Sequence, residues 1–369
     1  MNEMKIPSSS RVFGLDLIRA TAVLLVLAWH SGPLIPSKTP FFGKIVSQLN
    51  FSGFAGVEMF FVLSGFLIGQ ILIRRFDDFQ GRKTVFEFWA RRWLRTLPAF
   101  YIYLAVHGVL AFFRSNLVPK EMLSAFFLQN FAWRISDFFT LSWSLAIEEW
   151  FYLLFPLVAA LLFVSGLRGR KAVLVAAVSM GFASICARLW FAHRFPSWNW
   201  RFDLRRVVVL RFDSLMVGAL LAYVKLSFGE TYTFLRKHTA LTGLALILMC
   251  DSFATEADST PFGKTFILFL CPLGIALMLP RIESYRSSSE RFMVAIRSIS
   301  LWSYSMYLIN NLVVDLVKWA SRQVFREQSP FGAVCAISAV FGLCLVFSRW
   351  SYLGFERPFL RIRDRWFPS

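Results

Sequence analysis

Charged residues are scarce in this sequence, and their scarcity indicates the class of protein. Asp, Glu, Lys and Arg make up 17% of its 369 residues, whereas a soluble domain averages about 25%. Hydrophobic residues account for 57% and form long continuous runs, without the alternation over about ten residues that is typical of outer-membrane β-barrels. The composition therefore predicts an all-α, polytopic integral membrane protein.

Cysteines and linker sequences are also few. The 5 cysteines lie in or beside apolar segments and form no C-x-x-C pair and no set with histidine at metal-ligand spacing. We therefore expect packing cysteines, no metal site and no permanently bound cofactor. Because no linker or low-complexity segment divides the chain, residues 1–369 are predicted to form a single transmembrane domain without an appended soluble domain.

Acidic residues are outnumbered by basic ones, 22 to 40, which gives a net charge of +18. The basic residues concentrate in alternate loops, where they fix membrane topology and contact anionic lipid headgroups. We therefore expect membrane lipid, and not nucleic acid, as the partner of this charge. The positive-inside rule then places both the N- and the C-terminus in the cytoplasm.

One loop departs from this rule, because five arginines and three tryptophans lie together on its predicted outer side. Either the number of spans is off by one there, or these cations act outside the membrane. In the second case they form an interfacial belt with local Arg–Asp pairs, or a patch for an anionic, sugar-bearing lipid, since guanidinium groups match phosphate geometry. The residues are Arg194, Arg201, Arg205, Arg206, Arg211, Trp190, Trp198 and Trp200.

About ten apolar segments are predicted to be transmembrane helices. Between the third and the fourth, Met122 to Phe131 is predicted to form a partial or interfacial helix. The ten predicted spans are about Leu15 to Ser31, Gly56 to Ile73, Leu97 to Phe113, Leu145 to Val164, Ala172 to Trp190, Val207 to Val224, Leu241 to Cys250, Phe266 to Leu279, Leu301 to Trp319 and Ala333 to Phe347.

The first span carries a cation and an imidazole on one face. Arg19 and His30 are separated by about three helical turns, which aligns their side chains about 16 Å apart along the axis. Ionisable side chains in membrane helices are costly, and they usually face the bundle interior or a cavity. The alternative is a snorkelling arginine and an interfacial histidine, each satisfied locally.

Three cations stand just before the third span, at the predicted cytoplasmic face. Arg91 and Arg95 share one face of a helix at i, i+4 spacing, and Arg92 lies beside them. Such a cluster suits a cytosolic polyphosphate, for example the nucleotide end of coenzyme A. A positive-inside anchor has the same composition, so both interpretations stay open.

Two adjacent carboxylates open the fourth span. Glu148 and Glu149 point about 100° apart on a helix, so at most one of them shares a face with Ser144, and that one is Glu148 at i+4. Acids are also favoured near a helix N-terminus, which gives a purely structural alternative. Two acids and a hydroxyl at a membrane boundary are nevertheless unusual.

Two further segments place polar groups at membrane depth. Glu58 precedes an almost continuous apolar helix in which Ser64 and Gly65 allow close helix packing. Arg211 and Asp213 lead into another apolar segment.

Together, these segments resemble the membrane acyltransferase-3 family, the O-acetylases that modify bacterial surface glycans. The resemblance covers almost the whole chain. SLAIEEWFYLLFP, from Ser144, matches the family's Ser-Leu-x-x-Glu-Glu-x-Phe-Tyr-Leu pattern at every fixed position. The first helix fits its Arg-x10-His pattern, and Asn310 stands where many members carry a histidine. The other matching motifs are GVEMFFVLSGFLIG, Arg92-x-x-Arg95-x-x-Pro98, RFDSLMVGALLA and SYSMYLINN.

The resemblance implies an enzyme of the bacterial inner membrane that takes an acyl group, expected to be acetyl, from cytosolic acyl-CoA (acetyl-CoA). The implied acceptor is a hydroxyl of a cell-surface or lipid-linked glycan, such as a polysaccharide or lipopolysaccharide. A proton-coupled glycolipid transporter or flippase is the alternative, because intramembrane His, Glu and Arg also serve such carriers. A third interpretation is an acyl relay that serves a separate transferase.

Roles for the candidate residues follow from this resemblance. His30 is the expected general base, because imidazole titrates near neutral pH. Glu149 or Glu148 is expected to orient His30 or polarise the acceptor, and Arg19 to bind phosphate or stabilise an oxyanion. The expected coenzyme A mouth is Arg91, Arg92 and Arg95, with Arg19 deeper. The predicted substrate contacts are Ser144, Asp213, Arg211, Glu58 and Tyr307.

Overall fold

A computed structural model describes residues 12–35, 40–113, 119–136, 138–254, 256–324 and 329–367, and within them the regular structure is helical. The all-α prediction is confirmed. The helices are α1 Phe13–His30, α2 Pro40–Asp77, α3 Arg82–Phe113, α4 Ser142–Val164, α5 Arg170–Arg194, α6 Phe212–Ser227, α7 Gly229–His238, α8 Ala240–Phe253, α9 Pro261–Glu283, α10 Glu290–Val324, α11 Pro330–Ser351 and α12 Arg357–Trp366.

Eight helical segments of the described chain are long and apolar enough to cross a membrane, and a bent pair brings the number to nine. The prediction of a polytopic membrane protein is therefore confirmed. The sixth and seventh predicted spans correspond to the two shorter helices α6 and α8. Because α6 meets α7 at an angle of 119°, the pair is a broken span or a re-entrant segment. The predicted partial helix after α3 is a 3₁₀ helix over Pro119–Phe126.

Helix α2 lies at the centre of the bundle, between α1 and α6. Its contact with α6 has no room for side chains at two glycines: a Cβ atom on Gly65 would lie 1.8 Å from the Leu215 carbonyl oxygen, and one on Gly218 would lie 2.1 Å from that of Val62. The close helix approach predicted at Ser64-Gly65 is therefore present. Small residues let membrane helices pack through backbone contact, where dispersion forces act at short range.

Two buried ion pairs join α2, α5 and α6. Arg188 donates to both carboxylate oxygens of Asp213, at 3.0 and 2.7 Å. Arg211 Nη2 lies 2.7 Å from each carboxylate oxygen of Glu58. All four side chains are almost completely buried. Charges inside a membrane bundle require partners, because desolvation of an isolated ion costs several kcal/mol.

Candidate active site

A cavity of about 320 Å³ lies between α1, α2, α3, α4 and α10, and we call it the central cavity. It brings together polar side chains that are far apart in the sequence, and apolar side chains complete its wall. The lining residues are Arg19, Val57, Phe60, Phe61, Leu63, Ser64, Leu67, Ile71, Arg92, Arg95, Thr96, Ser144, Leu145, Glu148, Tyr152, Ser303, Tyr304 and Tyr307.

One stripe of α4 supplies the acid and two hydroxyls of the central cavity. Ser144, Glu148 and Tyr152 follow at i, i+4 and i+8, the spacing of a single helix face. The Tyr152 hydroxyl donates to Glu148 Oε2 at 3.2 Å and lies 2.7 Å from the Ser64 hydroxyl on α2. Because a tyrosine hydroxyl has one proton, Ser64 donates to Tyr152, and the chain of hydrogen bonds ends on the carboxylate.

The two neighbouring glutamates differ in their surroundings. Glu148 lines the central cavity and interacts electrostatically with Arg19, Arg92 and Arg95. Glu149 is buried outside that lining, and its Oε2 has no hydrogen-bond partner among the described residues. The 100° offset expected from the sequence thus directs only the first carboxylate into the cavity.

Tyr307 on α10 closes the cavity at the N-terminal end of α4. Its hydroxyl donates to the Leu141 carbonyl oxygen at 3.2 Å and lies 2.6 Å from the Ser144 hydroxyl, which therefore donates to it. Asn310, on the next turn of α10, donates to the Tyr307 carbonyl oxygen at 2.8 Å. This amide supports the backbone behind Tyr307 at the position where a histidine was expected from the family pattern.

His30 ends α1 and is not among the residues that line the central cavity. Its Nδ1 lies 2.9 Å from the Val26 carbonyl oxygen, and since a carbonyl only accepts, Nδ1 carries the proton. Nε2 of the neutral ring is then a proton acceptor, as a general base requires. This backbone hydrogen bond fixes the orientation of the ring. The ring also packs on Trp29, with centroids 4.4 Å apart.

Arg205 lies between α5 and α6 with 1% of its surface exposed. Its guanidinium carbon is 5.0 Å from the ring centroid of Trp143, 5.5 Å from that of Phe54 and 5.6 Å from that of Trp29. Burial, followed by the charge of Arg206, lowers the pKa of Arg205 to about 9, so the group is still protonated at neutral pH. In the sequence, nothing distinguishes Arg205 from the other four arginines of its loop.

A second cavity, of about 220 Å³, adjoins the central cavity at the N-terminal part of α3, and we call it the arginine pocket. It shares Ile71, Arg92 and Arg95 with the central cavity. The full lining is Ile71, Arg75, Phe88, Arg91, Arg92, Arg95 and Arg363.

Helix α12 completes the arginine pocket. Arg363 belongs to that helix, and Arg91 donates a hydrogen bond to the carbonyl oxygen of Phe367 just beyond it. Sequence reasoning treated the basic residues of α12 only as a sign of membrane orientation. Their contribution to a pocket on α3 depends on a long-range contact that no local pattern reveals.

The structure gathers half of the predicted site residues in the central cavity and separates the others. His30 and Glu149 lie outside its lining, and Arg91 lines the arginine pocket. Glu58, Arg211 and Asp213, which were expected to contact substrate, are buried in ion pairs on the other side of α2. The predicted residues that line the central cavity are Arg19, Arg92, Arg95, Ser144, Glu148 and Tyr307.

Comparison with known proteins gives a consistent result. A family model described as an acyltransferase domain matches residues 12–349. The chain is 29% identical over 340 residues to the peptidoglycan O-acetyltransferase OatA of Listeria monocytogenes, which covers 84% of this chain and 50% of that protein. It is 36% identical over 166 residues to the O-acetyltransferase OatA of Staphylococcus aureus, covering 40% of this chain and 25% of that protein.

The chain thus spans about half the length of the first of these relatives and a quarter of the second. No solved structure matches it. The family match extends over nearly all described helices, from the start of α1 into α11. This chain belongs to the acyltransferase-3 family of membrane proteins.

Proposed function

We propose that this protein is an integral membrane O-acetyltransferase that moves an acetyl group from acetyl-CoA to a hydroxyl of a cell-wall glycan. The observation that carries the proposal is the continuity of the arginine pocket with the central cavity, which share Ile71, Arg92 and Arg95. A polyanionic donor headgroup and a reactive acyl group fit these two adjoining spaces. The O-acetyltransferases among the relatives support the choice of acetyl.

The arginine pocket suits the nucleotide end of coenzyme A. Five arginines line it, and guanidinium groups bind phosphate oxygens through paired, charge-assisted hydrogen bonds. Phe88 and Ile71 provide apolar surface between these charges. The pantetheine arm would extend from there along Ile71 and Leu67 and bring the thioester into the central cavity. With both termini in the cytoplasm, as the charges of the loops predict, this pocket would face the cytosolic supply of donor.

Acetyl transfer then needs a base, an attacking hydroxyl and a leaving thiolate. Nε2 of His30 accepts the proton of the glycan hydroxyl, and the hydroxyl oxygen attacks the thioester carbonyl carbon, whose oxygen becomes an oxyanion. When the intermediate collapses, the C–S bond breaks and the thiolate takes the proton from His30. The products are an acetyl ester and the free thiol of coenzyme A. General base catalysis of this kind contributes about 10²- to 10⁴-fold.

Two charged groups of the central cavity assist this reaction. Glu148 carries a hydrogen-bonded carboxylate that would accept a hydrogen bond from a neighbouring hydroxyl of the acceptor sugar and so orient that sugar. Arg19 lies on the same face of α1 as His30 but about 16 Å away along the axis, and in the cavity its charge would help to bind a phosphate of the donor. Glu149 is buried outside the cavity lining, so it would not contact the acceptor directly.

The acceptor is proposed to be a glycan on the outer side of the bacterial cytoplasmic membrane, and a lipid-linked form of it would reach the site from the bilayer. The Listeria relative is named for peptidoglycan, which supports a cell-wall glycan over lipopolysaccharide. His30 lies at the opposite end of α1 from the predicted cytoplasmic face, as a base for an outer acceptor should.

The experiment is mass spectrometry of the surface glycans of cells that carry the wild-type protein, His30→Ala, His107→Ala or no protein. His107 is a matched control, because its Nδ1 also donates to a backbone carbonyl oxygen, that of Tyr103 at 2.9 Å, on a helix face outside the central cavity. We expect an acetyl mass increment with wild type and His107→Ala only. Unchanged acetylation in His30→Ala cells with normal protein levels would refute the mechanism.

An acyl relay is the second candidate, and one observation favours it. The chain matches only half of the Listeria peptidoglycan O-acetyltransferase, so the named activity belongs to a longer protein. A relay would accept acetyl from acetyl-CoA and deliver it to a separate transferase. Purified protein in liposomes, given acetyl-CoA and a peptidoglycan disaccharide as the only other components, distinguishes the two: acetylated disaccharide supports direct transfer, and its absence alongside coenzyme A release supports a relay.

A further inference from the structure

Three arginine side chains are almost completely buried near the N-terminal ends of α4 and α6, and we call them the buried arginine cluster: Arg188, Arg205 and Arg211. Two of them hold carboxylates, since Arg188 pairs with Asp213 and Arg211 with Glu58. Arg205 has no ion pair, and its Nε and Nη2 atoms have no hydrogen-bond partner within the described part of the chain. The nearby acid Glu58 is already bound by Arg211.

The surroundings of Arg205 hold a cation without neutralising it. The rings of Trp29, Phe54 and Trp143 lie within cation–π distance of its guanidinium group. Such rings attract a cation through their quadrupoles, but they accept none of the five N–H groups of a guanidinium. A buried charge with open donors is costly in a resting protein, which points to an anion that binds there during the reaction.

Arg205 lies close to the residues that are proposed to carry out acetyl transfer. Trp143, which packs on Arg205, precedes Ser144 of the central cavity and contacts Phe61 of the cavity wall, with ring centroids 6.0 Å apart. Arg205 also interacts electrostatically with His30 and with Tyr307. It therefore lies one aromatic layer from the cavity, beside the proposed base.

The hydrogen bond between Ser144 and Tyr307 closes the cavity on this side. A rotation of the Tyr307 side chain that breaks this hydrogen bond would connect the cavity with Arg205 and His30. The thioester and the acceptor would then meet beside Arg205. The acceptor side of the site would carry the fixed positive charge of Arg205, with that of Arg206 next to it.

We propose that Arg205 is the anion-binding residue of the transfer site, whose free N–H donors bind a negatively charged oxygen beside His30. This inference rests on the proposed function for the identity of the reaction. Two sources of that oxygen share the same chemistry: the oxyanion formed from the thioester carbonyl, and a carboxylate or phosphate fixed on the acceptor glycan.

The first test measures stability, and it needs no activity. In the purified, ligand-free protein we expect Arg205→Met to have a Tm equal to or higher than that of wild type, because a methionine fills the aromatic box without a buried charge. Arg188→Met is the matched control and should lower Tm clearly, since it leaves Asp213 buried without its partner. A clear loss of Tm in Arg205→Met would show a structural cation and overturn the proposal.

The second test measures transfer from acetyl-CoA to a peptidoglycan disaccharide with a free carboxylate and to its amidated, neutral form. We expect Arg205→Met to lose at least about 100-fold in kcat/KM and Arg205→Lys to lose less. Arg201→Gln, a half-buried arginine of the same loop that packs on Trp200, should match wild type. Turnover by the wild-type protein tests the proposed function itself. An inactive wild type would refute that function, whereas an Arg205 variant as active as an active wild type would refute only the role of Arg205.

The kinetic pattern separates the two sources of the anion. A loss of kcat with both acceptors, at unchanged KM, identifies the oxyanion. A raised KM for the carboxylate acceptor alone identifies a fixed anion of the glycan. Full activity of Arg205→Met with both acceptors would overturn the proposal, whatever its Tm.

Discussion

Two arginine-rich regions at different levels of the bundle differ in what their guanidinium groups contact. Helix α2 passes both, with Phe54 beside Arg205 and Ile71 in the arginine pocket, about 25 Å apart along a helix of 1.5 Å per residue. In the buried arginine cluster, carboxylates neutralise two of three cations. In the arginine pocket, five arginines surround an open cavity. Within the described part of the chain, Glu87 is the only carboxylate on a neighbouring helix that pairs with one of these arginines, and it is partly exposed.

Arginine therefore serves two different physical purposes in this protein. Where water is excluded, an arginine needs a carboxylate of the protein, and the pair joins helices. Where a cavity admits solvent, unpaired arginines are tolerated and remain available for a polyanion. Arg205 belongs to the first region by burial, but it has no carboxylate partner within the described part of the chain, which distinguishes it from Arg188 and Arg211.

The largest expected effect comes from breaking a buried pair. Arg211→Met leaves Glu58 without its guanidinium partner, and we expect a loss of about 3–5 kcal/mol in stability. Thermal unfolding followed by fluorescence-detected size exclusion measures it. The double variant Glu58→Leu/Arg211→Met removes both charges and should recover most of the loss. Equal stability of the single variant and wild type would contradict a structural role for this pair.

The central cavity lies between the two arginine-rich regions, and Glu148 is the carboxylate that lines it. We expect Glu148→Gln to lower the rate of acetyl transfer by about 100-fold, because the amide cannot act as a charged acceptor toward the glycan hydroxyl. Glu149→Gln, one residue along the same helix but outside the cavity lining, should change the rate little. Steady-state kinetics with purified protein measures both, and a reversed order would assign the role to Glu149.

A smaller effect is expected in the arginine pocket. Arg363→Gln removes one charged contact to the donor, and we expect KM for acetyl-CoA to rise about 10-fold at unchanged kcat, as for the loss of one charge-assisted hydrogen bond. Arg365→Gln, on the exposed side of α12, is the control. A fall in kcat with constant KM would place Arg363 in the chemistry instead of donor binding.

The smallest effect is expected from salt. Raising the ionic strength from about 0.1 M to 1 M shortens the Debye length from about 10 Å to 3 Å, which screens exposed charges far more than buried ones. We expect KM for acetyl-CoA to rise several-fold while Tm of the protein hardly changes. A large fall of Tm with salt would mean that the buried pairs are accessible to ions.

Local sequence patterns predicted the helices and one face of the site. Apolar length gave the spans, and the helical period correctly placed Ser144 and Glu148 on a common face with Glu149 turned away. The same period would have added Tyr152 at i+8. These features depend on one helix at a time, so they can be inferred from spacing alone.

Contacts between distant helices were not predictable in this way. Glu58, Arg211 and Asp213 were assigned to substrate because polar groups at membrane depth usually mark function, whereas here they neutralise one another and Arg188. Whether a buried charge is paired depends on which helices are neighbours. For the same reason, Arg363 and Arg205 were not singled out, although both are visible in the sequence.

Because α12 completes the arginine pocket, the order of synthesis determines when that pocket can form. The ribosome releases α3, with Arg91, Arg92 and Arg95, long before it releases α12 with Arg363. Until α12 has docked and Arg91 has bonded to the Phe367 carbonyl oxygen, the pocket proposed for the donor headgroup is incomplete. A nascent chain whose early helices are already inserted would therefore bind acetyl-CoA weakly, and cytosolic donor would not be consumed before synthesis has reached α12.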